Sequence, residues 1–269
     1  MGFIDTEFNP QNRGGKQRKK IKVFTSLDEE PILLHVKANI IRDPKAIKAK
    51  IGRLGLQSKK IDLGQITNQE VVTDSILVKN LGETPLTLLF GDYRTNMSWK
   101  AEPDTILPGD FGKLILTYNA KVAFRYGYKR EHVPLKVQDK EIEVSSVLAV
   151  ESIIVDDYSA LSKVDSTLAP SCKLLKNIYS LGDVKARDVE YVEIEFRNDG
   201  KRDLVTHHVD AAREMKVVDF DVIVNPGETG KIKLKVTLPK TKFYRKSVSI
   251  FNNDPTADIQ TITVMGSVE

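Results

Sequence analysis

Four histidines, His35, His132, His207 and His208, are the residues of this chain best suited to metal or proton chemistry. A zinc site needs three or four converging ligands, usually with a short-spaced pair. His207 and His208 are adjacent, and on an extended chain adjacent side chains point to opposite faces. The single cysteine, Cys172, brings no second thiol to help them. Ordinary surface or loop histidines are therefore expected, with no metal. The carboxylate pairs Asp156-Asp157 and Asp219-Asp221 could serve acid/base chemistry if two carboxyls flanked one bond. The first pair falls in a connector and the second at a strand edge, so solvated charge is the expectation for both. No Gly-x-Ser-x-Gly elbow, phosphate loop or dinucleotide fingerprint occurs. The residues thus point to a protein that is not an enzyme and needs no cofactor.

Two stretches could bind rather than react. The chain carries a net charge of +4, but residues 1–60 hold 14 Lys and Arg against 6 Asp and Glu. Arg13, Lys16, Arg18, Lys19 and Lys20 are the centre of that excess. Such a run can neutralise a polyanion in a salt-dependent way; as a hairpin loop leading into an edge strand it also guards against aggregation. The stretch from Phe124 to Arg130 interleaves aromatic and basic residues, as glycan and single-strand surfaces do. Tyr126, Tyr128 and Arg130 are its candidate ligand residues. Its counterpart Lys242-Phe243-Tyr244-Arg245-Lys246 recurs later in the chain, which favours a packing role at the end of a domain.

That recurrence is general. Gly64, Asn80, Gly82, Met97, Pro108, Gly109 and Tyr126 return as Gly182, Asn198, Gly200, Met215, Pro226, Gly227 and Tyr244, always at one offset (182 − 64 = 118). A gap-free offset means two copies of one unit. Within the unit, Ile232, Leu234 and Val236 alternate with Lys231, Lys233 and Lys235, the period-two pattern of a half-buried strand. Asn-x-Gly turns at Asn80 and Asn198 and Pro-Gly turns at Pro108 and Pro226 punctuate the strands. Cys172 stands where the first copy has Leu54, and reads as a small buried hydrophobe. Trp99 and Val217 share a register position and are expected to face inward and be largely buried.

The units predicted are 41–150 and 151–269, each a complete β-sandwich. Residues 1–40 repeat only the back half of the pattern: the loop and strand at Asp28–Ile40 follow the order of Asn252–Val268. They form the closing strands of a unit whose front half is missing, and their free edges make self-association possible. No apolar run is long enough to span a membrane. The acidic Met1–Glu7 has no signal-peptide character, and a longer natural chain could carry an export signal upstream.

The order of strand, Asn-x-Gly, Pro85-Leu86, Pro-Gly-acid, Phe-x-Arg/Lys-Lys, Asn253-Asp254-Pro255 and a final Gly266-Ser267-Val268 resembles a bacterial family of unknown function related to the ASH-type (ASPM/Hydin-like) domains. The resemblance implies an all-β chain of tandem immunoglobulin-like sandwiches, akin to major sperm protein. It also implies export to the cell envelope. Many bacterial members carry Cys-Gly-Cys between the Pro-Leu and Pro-Gly motifs. Here Asp92–Trp99 and Asp210–Val217 occupy that place without cysteine, so the redox or metal role that motif could imply is not carried over. The function expected is a structural, adhesive or scaffolding one, with a protein or a cell-surface polymer as partner and nucleic acid not among the partners expected. A carbohydrate- or polyanion-binding module using the basic hairpin and the aromatic loop is the alternative.

Overall fold

The computed structural model describes residues 15–23, 32–40, 46–90, 95–123, 125–138, 143–161, 165 and 167–269. Two strands, β1 (Gly15–Val23) and β2 (Ile32–Ile40), pair antiparallel as a two-stranded sheet. The first sandwich follows: β3 (Ala49–Ile51), β4 (Leu54–Leu56), β5 (Lys60–Thr67), β6 (Val71–Asn80), β7 (Leu86–Phe90), β8 (Met97–Glu102), β9 (Thr105–Ile106) and β10 (Phe111–Asn119). A one-turn helix, α1 (Ala120–Ala123), leads to β11 (Gly127–Gln138) and β12 (Glu143–Val155). Its sheets run β3-β4-β6-β10-β8 and β5-β12-β11-β7-β9.

The second sandwich repeats the plan with β13 (Cys172–Leu174), β14 (Ile178–Val184), β15 (Val189–Asn198), β16 (Leu204–Ala211), β17 (Met215–Phe220), β18 (Ile223–Val224), β19 (Thr229–Thr237), β20 (Phe243–Asn252) and β21 (Ile259–Val268). Its sheets are β13-β15-β19-β17 and β14-β21-β20-β16-β18. The first sandwich does not end at 150. β12 keeps pairing with β5 as far as Val155 against Thr67, so the connector begins at Asp156.

Alternation builds both cores. Ile232, Leu234 and Val236 of β19 are buried while Lys231, Lys233 and Lys235 are not, and Leu114, Leu116 and Tyr118 of β10 do the same in the first copy. Cys172 is buried on β13 beside Asn198, where Leu54 lies beside Asn80. Burial, with the nearby Asp254 charge, pushes its thiol up to about 12, so it stays neutral. Trp99 and Val217 are only partly buried, because β8 and β17 are edge strands whose inward side chains lie on the rim of the core. Trp99 stacks there on Phe90, with ring centroids 6.3 Å apart. Gly64 and Gly182 take φ of +69° at matching bulges in the parallel β5–β12 and β14–β21 ladders, a conformation that suits glycine.

One buried amide in each copy ties the two sheets together. Asn80, with 0% exposure at the end of β6, donates from Nδ2 to the carbonyls of Thr84 (2.8 Å) and of Ile106 on β9 (2.9 Å). Its Oδ1 accepts from the Gly82 N–H at 2.9 Å. Asn198 makes the same three bonds, to Arg202 (2.8 Å), to Val224 on β18 (2.9 Å) and from Gly200 (3.0 Å). β6 and β9 belong to opposite sheets, as do β15 and β18, so each amide bridges its sandwich. Asn198→Ala strands the carbonyls of Arg202 and Val224 and the N–H groups of Gly200 and Ser171, and urea unfolding is expected to show a loss of about 2–4 kcal/mol in the second sandwich. Asn198→Asp places a carboxylate against two carbonyl oxygens and is expected to cost at least as much.

Candidate functional site at the junction of the two sandwiches

The polar residues singled out in the sequence for three different chemistries meet at one place. Asp156 is the first residue after β12, and Tyr126 precedes β11, so both leave the same end of the first sandwich. His207 lies on β16 of the second. Asp156 Oδ1 accepts from Tyr126 Oη at 2.7 Å and from Asn68 Nδ2 at 3.1 Å. Its Oδ2 lies 2.6 Å from His207 Nε2, and Tyr158 Oη approaches it at 3.4 Å. The imidazole of His207 lies flat on the Tyr126 ring, with centroids 4.0 Å apart and planes 6° from parallel.

Burial pushes the Asp156 carboxyl up, but the bonds from His207, Tyr126 and Tyr158 more than offset it and hold the group below the ordinary aspartate value. An ionised carboxylate can only accept, so Nε2 of His207 carries the proton in this pair. Burial and the Asp156 bond raise the Tyr126 phenol to about 12, so it remains a donor.

A second set of bonds stands beside the first. Asp210 of β16 accepts the Tyr128 backbone N–H at 2.7 Å and lies 2.9 Å from His208 Nε2. Burial pushes its carboxyl up, and these two bonds hold it below the usual range. Gly127 permits the approach: its φ is +85°, and a Cβ there would fall 2.5 Å from His208 Cδ2. Gln65 Nε2 donates to Asp258 Oδ2 at 3.3 Å, and Tyr158 Oη donates to the Asn252 carbonyl at 3.4 Å.

The arrangement is a clamp. Among the described residues no three of His, Cys, Asp and Glu converge as metal ligands, and no serine, threonine or cysteine bonds to His207 or Asp156 as a nucleophile would. Tyr126 is therefore turned into the junction. Tyr128 remains exposed, and Arg130 pairs with Glu151 at 3.1 Å on the neighbouring strand. Asp157 stays with its own turn, accepting the Ser159 N–H at 2.9 Å. Arg13 lies outside the described residues. Lys16, Arg18, Lys19 and Lys20 lie on β1 rather than in a loop, opposite Asn39, Lys37, Val36 and His35, because the ladder with β2 runs unbroken from Gly15 to Val23.

Sequence reasoning did not single out Asn68, nor the convergence itself. The signal available was departure from the repeat: Asn68 corresponds to Ala186 and His207 to Leu89, so neither belongs to the common plan of the unit.

Asp156→Ala removes the acceptor shared by Asn68, Tyr126, Tyr158 and His207 and is expected to lower the coupling between the sandwiches by about 2–4 kcal/mol, read as a split of one thermal transition into two. The sign of the pH effect follows from the depressed folded value. Asp156 supports the junction fully above the ordinary value of 3.8 and loses that support as pH falls through its lower folded value. Energy transfer between labels on the two sandwiches should therefore be flat near neutrality and change on strong acidification, with a smaller change in Asp156→Asn.

Residues 172–268 match the family model described as Protein of unknown function (DUF1573). No curated protein matches the chain. Among solved structures, a protein of unknown function from Porphyromonas gingivalis W83 is 18% identical, with 80% of this chain and 100% of that one covered at a TM-score of 0.62. An ASH/PapD-like domain of human CEP192 aligns at 9% identity over 38% of this chain and 87% of that one, with a TM-score of 0.32. The CupB2 chaperone of Pseudomonas aeruginosa aligns at 13% identity, 80% and 100% coverage and a TM-score of 0.30. The second sandwich, residues 172–268, thus carries the sequence pattern of the unknown-function family DUF1573, the kind of relationship that the Asn-x-Gly, Pro-Gly and Asn-Asp-Pro motifs lead one to expect.

Proposed function

We propose that this chain is a non-catalytic structural spacer of the bacterial cell envelope, whose two immunoglobulin-like sandwiches are held at a set angle so that their edges and end loops meet a protein or surface polymer at a fixed separation. The observation that carries the reading is the junction. Asp156 gathers Asn68 and Tyr126 from one sandwich and His207 from the other, and the Tyr126–His207 stack closes over it. A flexible tether would need none of these bonds. Envelope placement rests on the family resemblance. Adhesion by strand addition is the recognition mode that sandwich edges permit without a dedicated pocket.

Small-angle scattering tests the spacer reading. The wild-type chain is expected to give one narrow distribution of inter-sandwich distances. The double variant Asp156→Ala/His207→Ala should keep the circular dichroism of the native fold while that distribution broadens. A broad distribution already in the wild type would remove the basis for a fixed spacer. Fractionation of the native host cell tests the placement: recovery of the protein only in the cytosol would rule the envelope out.

A further inference from the structure

β17 is an edge of its sheet, and among the described residues its only strand partner is β19. An open edge offers unpaired N–H and C=O groups to a further strand. On the β19 ladder Met215 lies opposite Val236, Lys216 opposite Lys235, Val217 opposite Leu234, Asp219 opposite Lys233 and Phe220 opposite Ile232, with Val218 bulged out between. Counted in ladder positions the strand therefore reads Met, Lys, Val, Asp, Phe, with Val217 in the middle. Burial keeps the same count: Met215, Val217 and Phe220 turn toward the core, while Lys216 and Asp219 are exposed. At the two ends the Glu214 carbonyl accepts the Thr237 N–H, and the Asp221 N–H donates to the Lys231 carbonyl. Antiparallel alternation from either end leaves the N–H and C=O of Val217 on the free side.

Turned about a two-fold axis through Val217, this strand complements itself. Val217 meets its own equivalent through two main-chain hydrogen bonds. Lys216 meets Asp219 twice on the outer face, and Met215 meets Phe220 twice on the inner one. Within one chain Lys216 and Asp219 have no ion pair among the described residues, and Lys216 lies opposite the like-charged Lys235. The next position sets Glu214 against Asp221, but each is already engaged, by Lys246 at 3.7 Å and by the Lys231 N–H at 2.8 Å. A lysine and a bulge on an edge discourage an arbitrary strand; here both match their own rotated copy. Val218, Val222 and Ile223, each more than half exposed, flank the edge with apolar surface. The first sandwich has Lys100, Asp104 and Thr105 at the equivalent positions, and its unbulged β8 has Ser98 and Ala101 where Lys216 and Asp219 stand.

We propose that β17 is a dimerisation edge, through which two copies of this chain pair antiparallel about Val217. The inference goes beyond the spacer reading and does not rest on it, because no residue of the Asp156 junction takes part.

Sedimentation of the full chain at low ionic strength tests it. The wild type is expected to pass from monomer to dimer, and no further, as its concentration rises to about 1 mM. Lys216→Asp and Asp219→Lys each set two like-charge pairs across the axis and should weaken the dimer at least about tenfold. Mixed in equal amounts, the two variants regain both opposite-charge pairs and should form a heterodimer of about wild-type affinity. That rescue separates a lost charge pair from a misfolded variant. The proposal fails if the wild type stays monomeric, if either variant alone dimerises as the wild type does, which would place the association elsewhere, or if the mixture associates no better than its components.

Discussion

A single carboxylate at the end of β12 receives donors from both halves of the molecule, and the relation between the sandwiches depends on it. Asp156 is about as costly a group as could be set at an interface, because a half-buried charge loses hydration that only good hydrogen bonds replace. It is held ionised by His207, Tyr126 and Tyr158 despite that burial, and Asn68 adds a further donor. Breaking the junction would leave these donors to find water one by one. The Tyr126–His207 stack adds a flat apolar contact that a rotation of one sandwich against the other would open. Asp210, Gly127 and Tyr128 then fix a second point, and two points remove the freedom that one hinge would leave.

A junction of this kind transmits geometry only if the bodies on either side are themselves stiff. The buried amides Asn80 and Asn198 provide for that in the same way in both copies, by tying one sheet to the other where the turn after β6 or β15 meets β9 or β18. Hydrophobic contact between two sheets is non-directional and tolerates sliding. A side chain that satisfies two carbonyls and one N–H does not. The recurrence of all three bonds at one offset explains why Asn80 and Gly82 reappear unaltered as Asn198 and Gly200.

The sandwiches were legible because their determinants are local. Alternation along β10 and β19, the Asn-x-Gly and Pro-Gly turns, and the place of Cys172 opposite Asn198 all follow from short stretches read twice. The partial exposure of Trp99 was not legible, since alternation gives the side to which a residue points and not how near the rim its strand lies. The end of the first unit was misplaced for a related reason: the repeat runs out after β21, leaving nothing to mark how far β12 continues. The junction was legible only in fragments. Asp156, His207 and Tyr126 each stood out, for acid/base, metal and ligand chemistry in turn, yet their meeting depends on how two folded bodies dock, which no periodicity encodes.

Residual dipolar couplings from the full chain measure the central claim most directly, because they report whether two bodies share one orientation. If the Asp156 junction holds, couplings from residues 46–155 and 172–268 fit one alignment tensor of common magnitude and axes. Two tensors of clearly different magnitude would mean that the sandwiches reorient independently, and would contradict the account.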